Sequence, residues 1–426
     1  MNVCFQYDFH PVGQGLFSSG CLYEPNKPQP RFVWVYDCGA LPATPPVNWA
    51  LQMQRLRQFI RGRTSIDLLT LSHFDDDHIA GVTELLRQFR VETLMLPYVP
   101  LWERLLIPFS RGIGSRDIQM QYYLNPTAFL REVGGNNLGR IIEVEPGDEG
   151  GQTFEASGEG FPLEPDLGDG PWKLKAKTRL YDAEEPAGDG AGKSEQQNET
   201  LSSGQPLIVE GLWEFCPYNA KRQDAITPAF KSDVERLRDQ LLNSFNGAER
   251  EAALAELKAA YDKEFGNNAR QRNVISLFLY SGPVYSTWTE HKILSPQYTL
   301  SWPYPGRYPC YYRVHPNAPG LTQKCSLLYT GDGYLNTKKS FDSLNAALGT
   351  NRTANLGVVQ VAHHGAKGNW HADLAAKLNP VFSVFSSDPA RGPTHHPDAE
   401  VLRDFWPHSP IQVNDFGASN CGWLLR

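Results

Sequence analysis

The sequence predicts an α/β fold in which strands and helices stack as an αβ/βα sandwich. Residues 1–41 contain apolar, strand-like runs separated by turns that carry glycine. Residues 48–62 place apolar side chains at helical spacing, and 66–71 follow as an apolar strand that ends in a polar turn. A second helix is predicted at 83–89 and a further strand at 91–97. This alternation of strands and helices is typical of layered α/β domains.

A long central region separates two halves of the predicted core. We expect residues 1–100 to form the first half, 101–270 an insertion, and 271–426 the second half. The insertion is expected to lie near the functional site and to include a possible lid.

Three kinds of segment are predicted inside this insertion. The runs WKLKAKTRLYD and PLIVEGLWEF alternate like the two strands of a hairpin. Residues 183–204, between them, have the Gly-rich and acidic composition of a flexible linker. A pair of helices is predicted at about 228–245 and 248–265, because Pro228 suits a first helical turn and glycines mark the helix ends.

Composition limits the class of protein. The 426 residues are 41% hydrophobic, which indicates a folded chain with a sizeable core, and the net charge of −7 gives no overall basic footprint for nucleic acid. There is no apolar run long enough for a transmembrane helix, and the first residues lack the pattern of a secretory signal. Seven scattered cysteines without a Cys-x-x-Cys motif favour a reducing, cytoplasmic location. Of these, Cys38 is expected to be a small buried residue rather than a metal contact.

The most informative stretch is HFDDDH, from His73 to His78, which we call the metal turn. It places two imidazoles and three carboxylates in six residues, directly after an apolar strand. Carboxylates held this close repel one another unless a cation neutralises them. The mixture of His and Asp suits Zn²⁺ or a harder ion such as Mn²⁺ or Fe²⁺. The alternative is an acidic surface turn that carries two histidines by chance.

Other histidines make that alternative weaker. Six of the eleven histidines lie in three clusters, and each cluster follows an apolar or β-branched run of strand length. Asp332 follows another such run, LLYTG. Loops at the ends of strands collect at one edge of a layered α/β domain, so these groups are expected to form one site. The clusters are His73 with His78, His363 with His364, and His395 with His396.

The metal turn resembles the His-x-His-x-Asp-His signature of the metallo-β-lactamase-fold hydrolases, with Asp75 in place of the second histidine. This variant is similar to the branch that contains the hydrolase domain of the competence protein ComEC and the phosphorylcholine esterases. Further motifs follow in the order of that branch, over about residues 1–100 and 270–426. They are VGQG (12–15), VYDCG (35–39), NVISLFL (273–279), LLYTGD (327–332), VVQVAHHG (358–365) and THHP (394–397). The resemblance implies a metallo-β-lactamase-type four-layer αβ/βα sandwich with a long inserted region.

The resemblance also implies a site with two divalent metal ions, Zn²⁺ or Mn²⁺. His73 and Asp75 would hold the first ion, Asp77 and His78 the second, and Asp332 would bridge both. Asp77 and Asp332 are therefore the expected catalytic carboxylates. One histidine from each of the other two pairs would complete the ligands, from His363 or His364 and from His395 or His396. Asp37 and Asn273 are expected to support the ligands, while Asp76 occupies a variable position. A further histidine ligand that most of the superfamily has before the bridging aspartate has no convincing counterpart in this sequence.

We expect a metal-dependent hydrolase that uses a metal-activated water, and the preferred activity is that of a phosphodiesterase or nuclease. The alternatives are hydrolysis of a small phosphoester, such as a phosphocholine-like or cyclic-nucleotide-like compound, and a metal-filled binding or regulatory module. Basic residues around the predicted helical pair could contact phosphates, although solvated helix faces with acidic partners are the preferred interpretation. These candidate substrate-binding residues are Lys221, Arg222, Lys231, Arg236, Arg270 and Arg272.

Overall fold

The fold is described from a computed structural model. It describes residues 3–42, 46–105, 108, 118–147, 170–181, 198–220, 227–243, 247–265, 276–284, 297–301, 324–390, 396–414 and 418–425.

The strands follow one another along the chain in this order. They are β1 (Val3–Phe9), β2 (Phe17–Tyr23), β3 (Phe32–Cys38), β4 (Ser65–Ile66), β5 (Leu68–Thr70), β6 (Arg90–Pro97), β7 (Leu138–Val144), β8 (Leu174–Lys175), β9 (Arg179–Tyr181), β10 (Asn198–Leu201), β11 (Leu207–Val209), β12 (Trp213–Asn219), β13 (Leu277–Pro283), β14 (Gln297–Ser301), β15 (Ser326–Tyr329), β16 (Leu356–Gln360), β17 (Phe382–Ser386), β18 (Pro410–Val413) and β19 (Ala418–Leu425).

The helices lie between these strands. They are α1 (Trp49–Phe59), α2 (Asp76–Ile79), α3 (Val82–Gln88), α4 (Leu101–Arg104), α5 (Ile118–Leu124), α6 (Pro126–Gly134), α7 (Pro228–Asn243), α8 (Gly247–Phe265), α9 (Lys338–Leu348), α10 (Thr350–Ala354), α11 (Leu374–Leu378) and α12 (Ala399–Phe405).

The strands form two mixed sheets. The first sheet has the order β14-β19-β1-β2-β3-β5-β6-β7-β10-β9, with β4 beside β6. Its centre from β3 to β10 is parallel, and the strands from β19 to β3 pair antiparallel. The second sheet has the order β18-β17-β16-β15-β13-β12-β11-β8, in which β15 to β18 are parallel.

Three clusters of buried side chains show how the layers stack. Between the sheets lies a cluster that includes Trp34 of the first sheet and Trp213 of the second. On its other face the first sheet packs against α1, α3, α6, α7 and α8, and Leu56 is one residue of that cluster. The outer face of the second sheet packs against α9, α11 and α12, with Leu344 and Phe405 in the contact. The order is therefore helices, sheet, sheet, helices, and the predicted α/β class is confirmed.

The predicted local elements agree with the structure to within a few residues. The helix predicted at 48–62 is α1, which begins after Asn48, whose side chain accepts a hydrogen bond from the backbone N–H of Leu51. The helices predicted at 228–245 and 248–265 are α7 and α8. The strand predicted at 66–71 is interrupted at Asp67, whose carboxylate accepts hydrogen bonds from the backbone N–H of Val33 and from Arg63.

The predicted insertion contributes strands to both sheets. β7, β10 and β9 extend the first sheet, and β12, β11 and β8 extend the second. The hairpin expected from WKLKAKTRLYD and PLIVEGLWEF is reduced to the short pairing of β8 with β11, because β11 turns back and pairs mainly with β12. The prediction of a flexible linker at 183–204 is wrong for residues 198–201, which form strand β10 between β7 and β9. Residues 182–197 lie outside the described part of the chain.

Two further expectations concern membrane contact and Cys38. Among the described residues, no helix combines the length and apolarity that a membrane span requires. Cys38 is fully buried in the core on the helical side of the first sheet, as expected for a small residue at the end of a strand.

Candidate metal centre

The metal turn leaves the end of β5 and leads into α2. Asp75 precedes α2, and its carbonyl accepts hydrogen bonds from the backbone N–H groups of His78 and Ile79. The turn lies directly on Gly39, where a Cβ atom would come within 2.1 Å of the backbone nitrogen of His78. The glycine after Asp37 and Cys38 is therefore required by this close approach of two backbone segments.

Asp37, at the end of β3, holds the metal turn in place through hydrogen bonds. It is fully buried at the end of β3 and has a positive φ of 55°. Its carboxylate accepts hydrogen bonds of 2.7 Å from the backbone N–H of Ser72, from the Ser72 hydroxyl and from Nδ1 of His78. Because Nδ1 of His78 carries the donated proton, Nε2 is left with a lone pair that faces the site. Asp37 thus connects the end of β3 to Ser72 and His78.

His73 and His364 are oriented in the same way. The Ser72 hydroxyl donates to Asp37, so it accepts from Nδ1 of His73 at 2.9 Å. Nδ1 of His364 donates to the backbone carbonyl of Ser386, at the end of β17, at 2.6 Å. In both rings Nε2 is left as the atom that can bind a cation.

His363 reaches the site from the loop after β16. Both His363 and His364 have positive φ angles, 47° and 57°, which are costly for non-glycine residues. Nδ1 of His363 donates to the Asn369 side chain at 2.9 Å, and the Asn369 amide in turn donates to the backbone carbonyl of Asp332 at 2.7 Å. This backbone therefore turns the imidazole of His363 toward Asp332 and that of His364 toward Asp77.

The Nε2 atoms of these imidazoles converge on the carboxylates of Asp332 and Asp77. Nε2 of His78 lies 3.1 Å from Oδ1 of Asp332, and Nε2 of His364 lies 3.1 Å from Oδ2 of Asp77. The other oxygen of Asp332, Oδ2, lies 3.7 Å from Nε2 of His73 and 3.5 Å from Nε2 of His363. The two oxygens of Asp332 therefore face different imidazoles.

Two of these ring nitrogens point at the site without a hydrogen bond. Among the described residues, Nε2 of His73 and Nε2 of His78 are buried atoms that have no hydrogen-bond partner. Oδ1 of Asp332 is likewise without one there, although His78 is only 3.1 Å away. Buried polar atoms of this kind are rare and costly, and a shared cation would satisfy them.

The ligand atoms fall into two groups that could each hold a metal ion. In each group the atoms lie within 4.8 Å of one another, and every residue is buried. One group is His73, Asp75 and Asp77; the other is Asp77, His78, Asp332 and His364. Asp77 belongs to both groups. The sequence-based hypothesis instead expected Asp332 to bridge the two ions. The two oxygens of Asp332 do face different imidazoles, His78 on one side and His73 and His363 on the other.

Electrostatics at the two central imidazoles differ. Burial would lower the pKa of His78, but the nearby carboxylates of Asp332, Asp37 and Asp77 outweigh it and raise the pKa well above its ordinary value. Burial and the positive charge of His78 lower the pKa of His73 to about 4. Without a cation, the carboxylates therefore favour a proton on His78, while His73 stays neutral. A bound cation would take the place of that proton, so that both rings would bind it as neutral imidazoles.

The carboxylates are held in the ionised state. Burial would raise the pKa of Asp77, but the charge of His78 and the hydrogen bond with His364 keep that pKa below its ordinary value. Burial has the same effect on Asp332, and the charges of His363 and His78 lower its pKa well below the ordinary range. The pKa of His364 is raised, because its bond to Asp77 and the charge of Asp332 outweigh burial. The site thus has ionised oxygens that attract cations.

The loop before Asp332 depends on residues that the sequence analysis did not single out. Gly331 has a positive φ of 52° and packs against Ser72 and Ser276. The Gln360 side chain accepts hydrogen bonds from the backbone N–H groups of Thr330 and Gly331, each at 2.8 Å. Ser276 accepts from the backbone N–H of Asp332 at 3.1 Å. Gly331, Gln360 and Ser276 lie within the motifs LLYTGD, VVQVAHHG and NVISLFL, and these motifs were the sequence signals for this support.

The remaining predicted residues are placed as follows. His396 is mostly buried, with its ring 5.9 Å from the ring of His363 and its Nδ1 3.6 Å from Asp398, and burial lowers its pKa. Asp76 is half-buried at the start of α2. Lys231 is exposed on α7, where Arg236 forms ion pairs with Asp233 and Glu256. Outside the described residues lie His395, Asn273, Lys221, Arg222, Arg270 and Arg272.

No protein-family model matches this chain, and no curated protein matches it. What the site does must therefore be argued from its own geometry.

Proposed function

We propose that this protein is a metal-dependent hydrolase of the metallo-β-lactamase type that cleaves phosphodiester bonds. The observation that carries the proposal is the pair of buried ligand groups that share Asp77 at the ends of strands from both sheets. The order of helices, sheet, sheet and helices supports an αβ/βα sandwich of that type.

The donor set fits two divalent ions. His73, Asp75 and Asp77 would hold one ion, and Asp77, His78, Asp332 and His364 the other. The donors are imidazole nitrogens and carboxylate oxygens, which suit Zn²⁺ and Mn²⁺.

Bound ions would lower the pKa of a water molecule into the neutral range and stabilise the charge that develops on phosphate oxygens. The chain's own residues would keep the ligands in place during this chemistry. Asp37 and Ser72 fix the tautomer of His78 and His73, and the carbonyl of Ser386 fixes His364. Such fixed orientation reduces the reorganisation needed at the moment of reaction.

Two kinds of substrate fit this proposal, a small phosphoester and a nucleic acid. The carboxylate of Asp75 in place of an imidazole adds a hard oxygen donor and favours phosphoester chemistry. A small phosphoester has a specific observation in its favour, because Arg236 is engaged with Glu256 at 2.7 Å rather than free for a nucleic-acid backbone. Polymer substrates would need phosphate contacts from basic residues, since the net charge of −7 repels a polyanion.

Metal analysis and a substrate panel test the proposal. Asp332→Ala should lose metal and abolish hydrolysis of bis-p-nitrophenyl phosphate under Mn²⁺ or Zn²⁺, because it removes a carboxylate that faces three imidazoles. Asp342→Ala is the matched control, since Asp342 is an exposed partner of Lys338 on α9. Unmodified protein that stays metal-free after loading, or hydrolyses no phosphoester, would refute the proposal.

A second measurement separates polymer from small substrates. If the substrate is a nucleic acid, the double variant Lys231→Ala/Arg236→Ala should cleave DNA or RNA more weakly, with the log–log salt slope falling by about one unit per lost phosphate contact. Hydrolysis of bis-p-nitrophenyl phosphate should not change. If the unmodified protein cleaves the small reporter but neither nucleic acid, the small-phosphoester alternative replaces the nuclease.

A further inference from the structure

Two adjacent tyrosines of α5 hold Phe74, the second residue of the metal turn. The ring of Phe74 is fully buried and stands edge-on to Tyr122, with ring centres 5.0 Å apart, and to Tyr123, at 6.5 Å. The carbonyl of Phe74 accepts a hydrogen bond of 2.7 Å from the Tyr123 hydroxyl. Phe74 lies between His73 and Asp75, so this bond fixes the orientation of the peptide that joins Phe74 to Asp75.

The position of α5 is itself fixed by Arg104, at the end of α4. Its guanidinium donates to the carbonyls of Tyr123 and Leu124 at 3.0 and 3.1 Å, and to the carbonyl of Val99 at 3.0 Å. A cation at the last carbonyls of a helix satisfies groups that have no partner within the helix. Arg104 therefore ties the end of α5 to the segment that follows β6.

The helical pair α7 and α8 also contacts α4. The hydroxyl of Tyr261, on α8, donates to the carbonyl of Trp102 in α4. The ring of Tyr261 also packs edge-to-face against Phe230 of α7, with centres 4.9 Å apart. Direct contacts thus run from the helical pair through α4 and α5 to the peptide between two predicted ligands.

We propose that Tyr123 is a positioning residue through which these inserted helices set the metal affinity of the group formed by His73, Asp75 and Asp77. This inference rests on the proposed metal-dependent function. Phe74 adjoins His73 and Asp75, which belong to this group alone. In the other group, His78 is oriented by Asp37 and His364 by the carbonyl of Ser386, and neither bond involves Phe74 or Tyr123. A change at Tyr123 should therefore act on one group and leave the other nearly unchanged.

The chain offers a matched control for this test. Tyr122 is also buried, on the same helix and against the same Phe74 ring, but its hydroxyl has no hydrogen-bond partner within the described part of the chain. Tyr122→Phe therefore removes an equally buried hydroxyl without removing a bond to the metal turn. Tyr123→Phe removes the bond and keeps the ring.

The experiment is a stepwise titration of the metal-free 426-residue chain with Co²⁺, monitored by visible absorption. Asp75→Ala should weaken the binding step of the group formed by His73, Asp75 and Asp77, and this change identifies that step. Tyr123→Phe should weaken that step by about 3- to 10-fold, the range expected for one hydrogen bond, and leave the other step unchanged. Tyr122→Phe should leave both steps unchanged.

Other outcomes overturn the inference. Equal weakening by both phenylalanine variants would show that packing rather than the Tyr123 hydroxyl matters. Loss at both steps together with a lower unfolding temperature would show a general structural defect. Two normal binding steps in Tyr123→Phe would refute this inference alone, whereas an unmodified chain that binds no metal would refute the proposed function as well.

Tyr261→Phe tests whether the more distant helices take part. It removes the hydrogen bond from α8 to the carbonyl of Trp102, which lies farther along this series of contacts than Tyr123. We expect the same binding step to weaken by about 2-fold, in the same direction. No change in this variant would overturn the involvement of α7 and α8.

Discussion

Asp37→Asn is the sharpest single test of how the metal centre is held. Asp37 accepts three hydrogen bonds of 2.7 Å, two from Ser72 and one from Nδ1 of His78. Asparagine is nearly the same size and tolerates the positive φ of 55° at this position. It has one oxygen, however, so its NH₂ group must face a donor on one side. If that side is His78, the ring must move its proton to Nε2 and lose the lone pair that faces Asp332.

The expected loss of metal affinity is about 10- to 100-fold, which is the usual effect of removing a partner that orients a ligand. This corresponds to about 1.4–2.7 kcal/mol of binding free energy. Titration of metal-free protein against chelator-buffered Zn²⁺ measures it, and the unfolding temperature shows whether the fold is retained. Asp342→Asn, at an exposed ion pair, is the control. Unchanged Zn²⁺ affinity in a folded Asp37→Asn protein would refute the role assigned to Asp37.

Two further predictions concern the support of the turn and the effect of pH. Gly39→Ala should displace the metal turn and destabilise the protein by about 1–3 kcal/mol or more, while Gly170→Ala, where a Cβ atom meets nothing within 4 Å, should have little effect in thermal unfolding. Burial raises the pKa of Asp67 to about 6 despite the charge of Arg63, so its contribution to stability is present below about pH 4 and lost as pH rises through about 6. Relative to Asp67→Asn, the free energy of unfolding should therefore fall by about 3 kcal/mol across this interval in urea titrations, and a constant difference would contradict the assignment.

The sequence could indicate which residues lie together in the candidate site because the signals are local. A run of carboxylates and imidazoles after an apolar strand can be recognised without knowing the fold, and parallel strands place their ends at one edge of a sheet. His73, Asp77, His78, Asp332 and His364 are brought together as expected. The choice between His363 and His364 was not available from the sequence, because it depends on the left-handed backbone of both residues.

The supporting contacts could not be predicted in the same way. The bond between Tyr123 and Phe74 joins residues 49 positions apart, and the bond between His364 and Ser386 uses a backbone carbonyl that any residue would supply. Such contacts depend on tertiary packing rather than on residue type. The strand β10 was missed for a related reason, since its polar sequence NETL becomes a strand through its neighbours β7 and β9.

The charge of the ligand set leads to a final prediction about metal stoichiometry. The ligand carboxylates Asp75, Asp77 and Asp332 bring three negative charges, and neutral imidazoles bring none. One divalent ion leaves the set with a net charge of −1, which repels a phosphodiester, whereas two ions give +1, which attracts it. Hydrolysis of bis-p-nitrophenyl phosphate should therefore stay low up to one equivalent of Zn²⁺ or Mn²⁺ and rise between one and two equivalents. The measurement is activity against bound metal in the same samples, and full activity at a single equivalent would show that one ion is enough and that this charge argument is wrong.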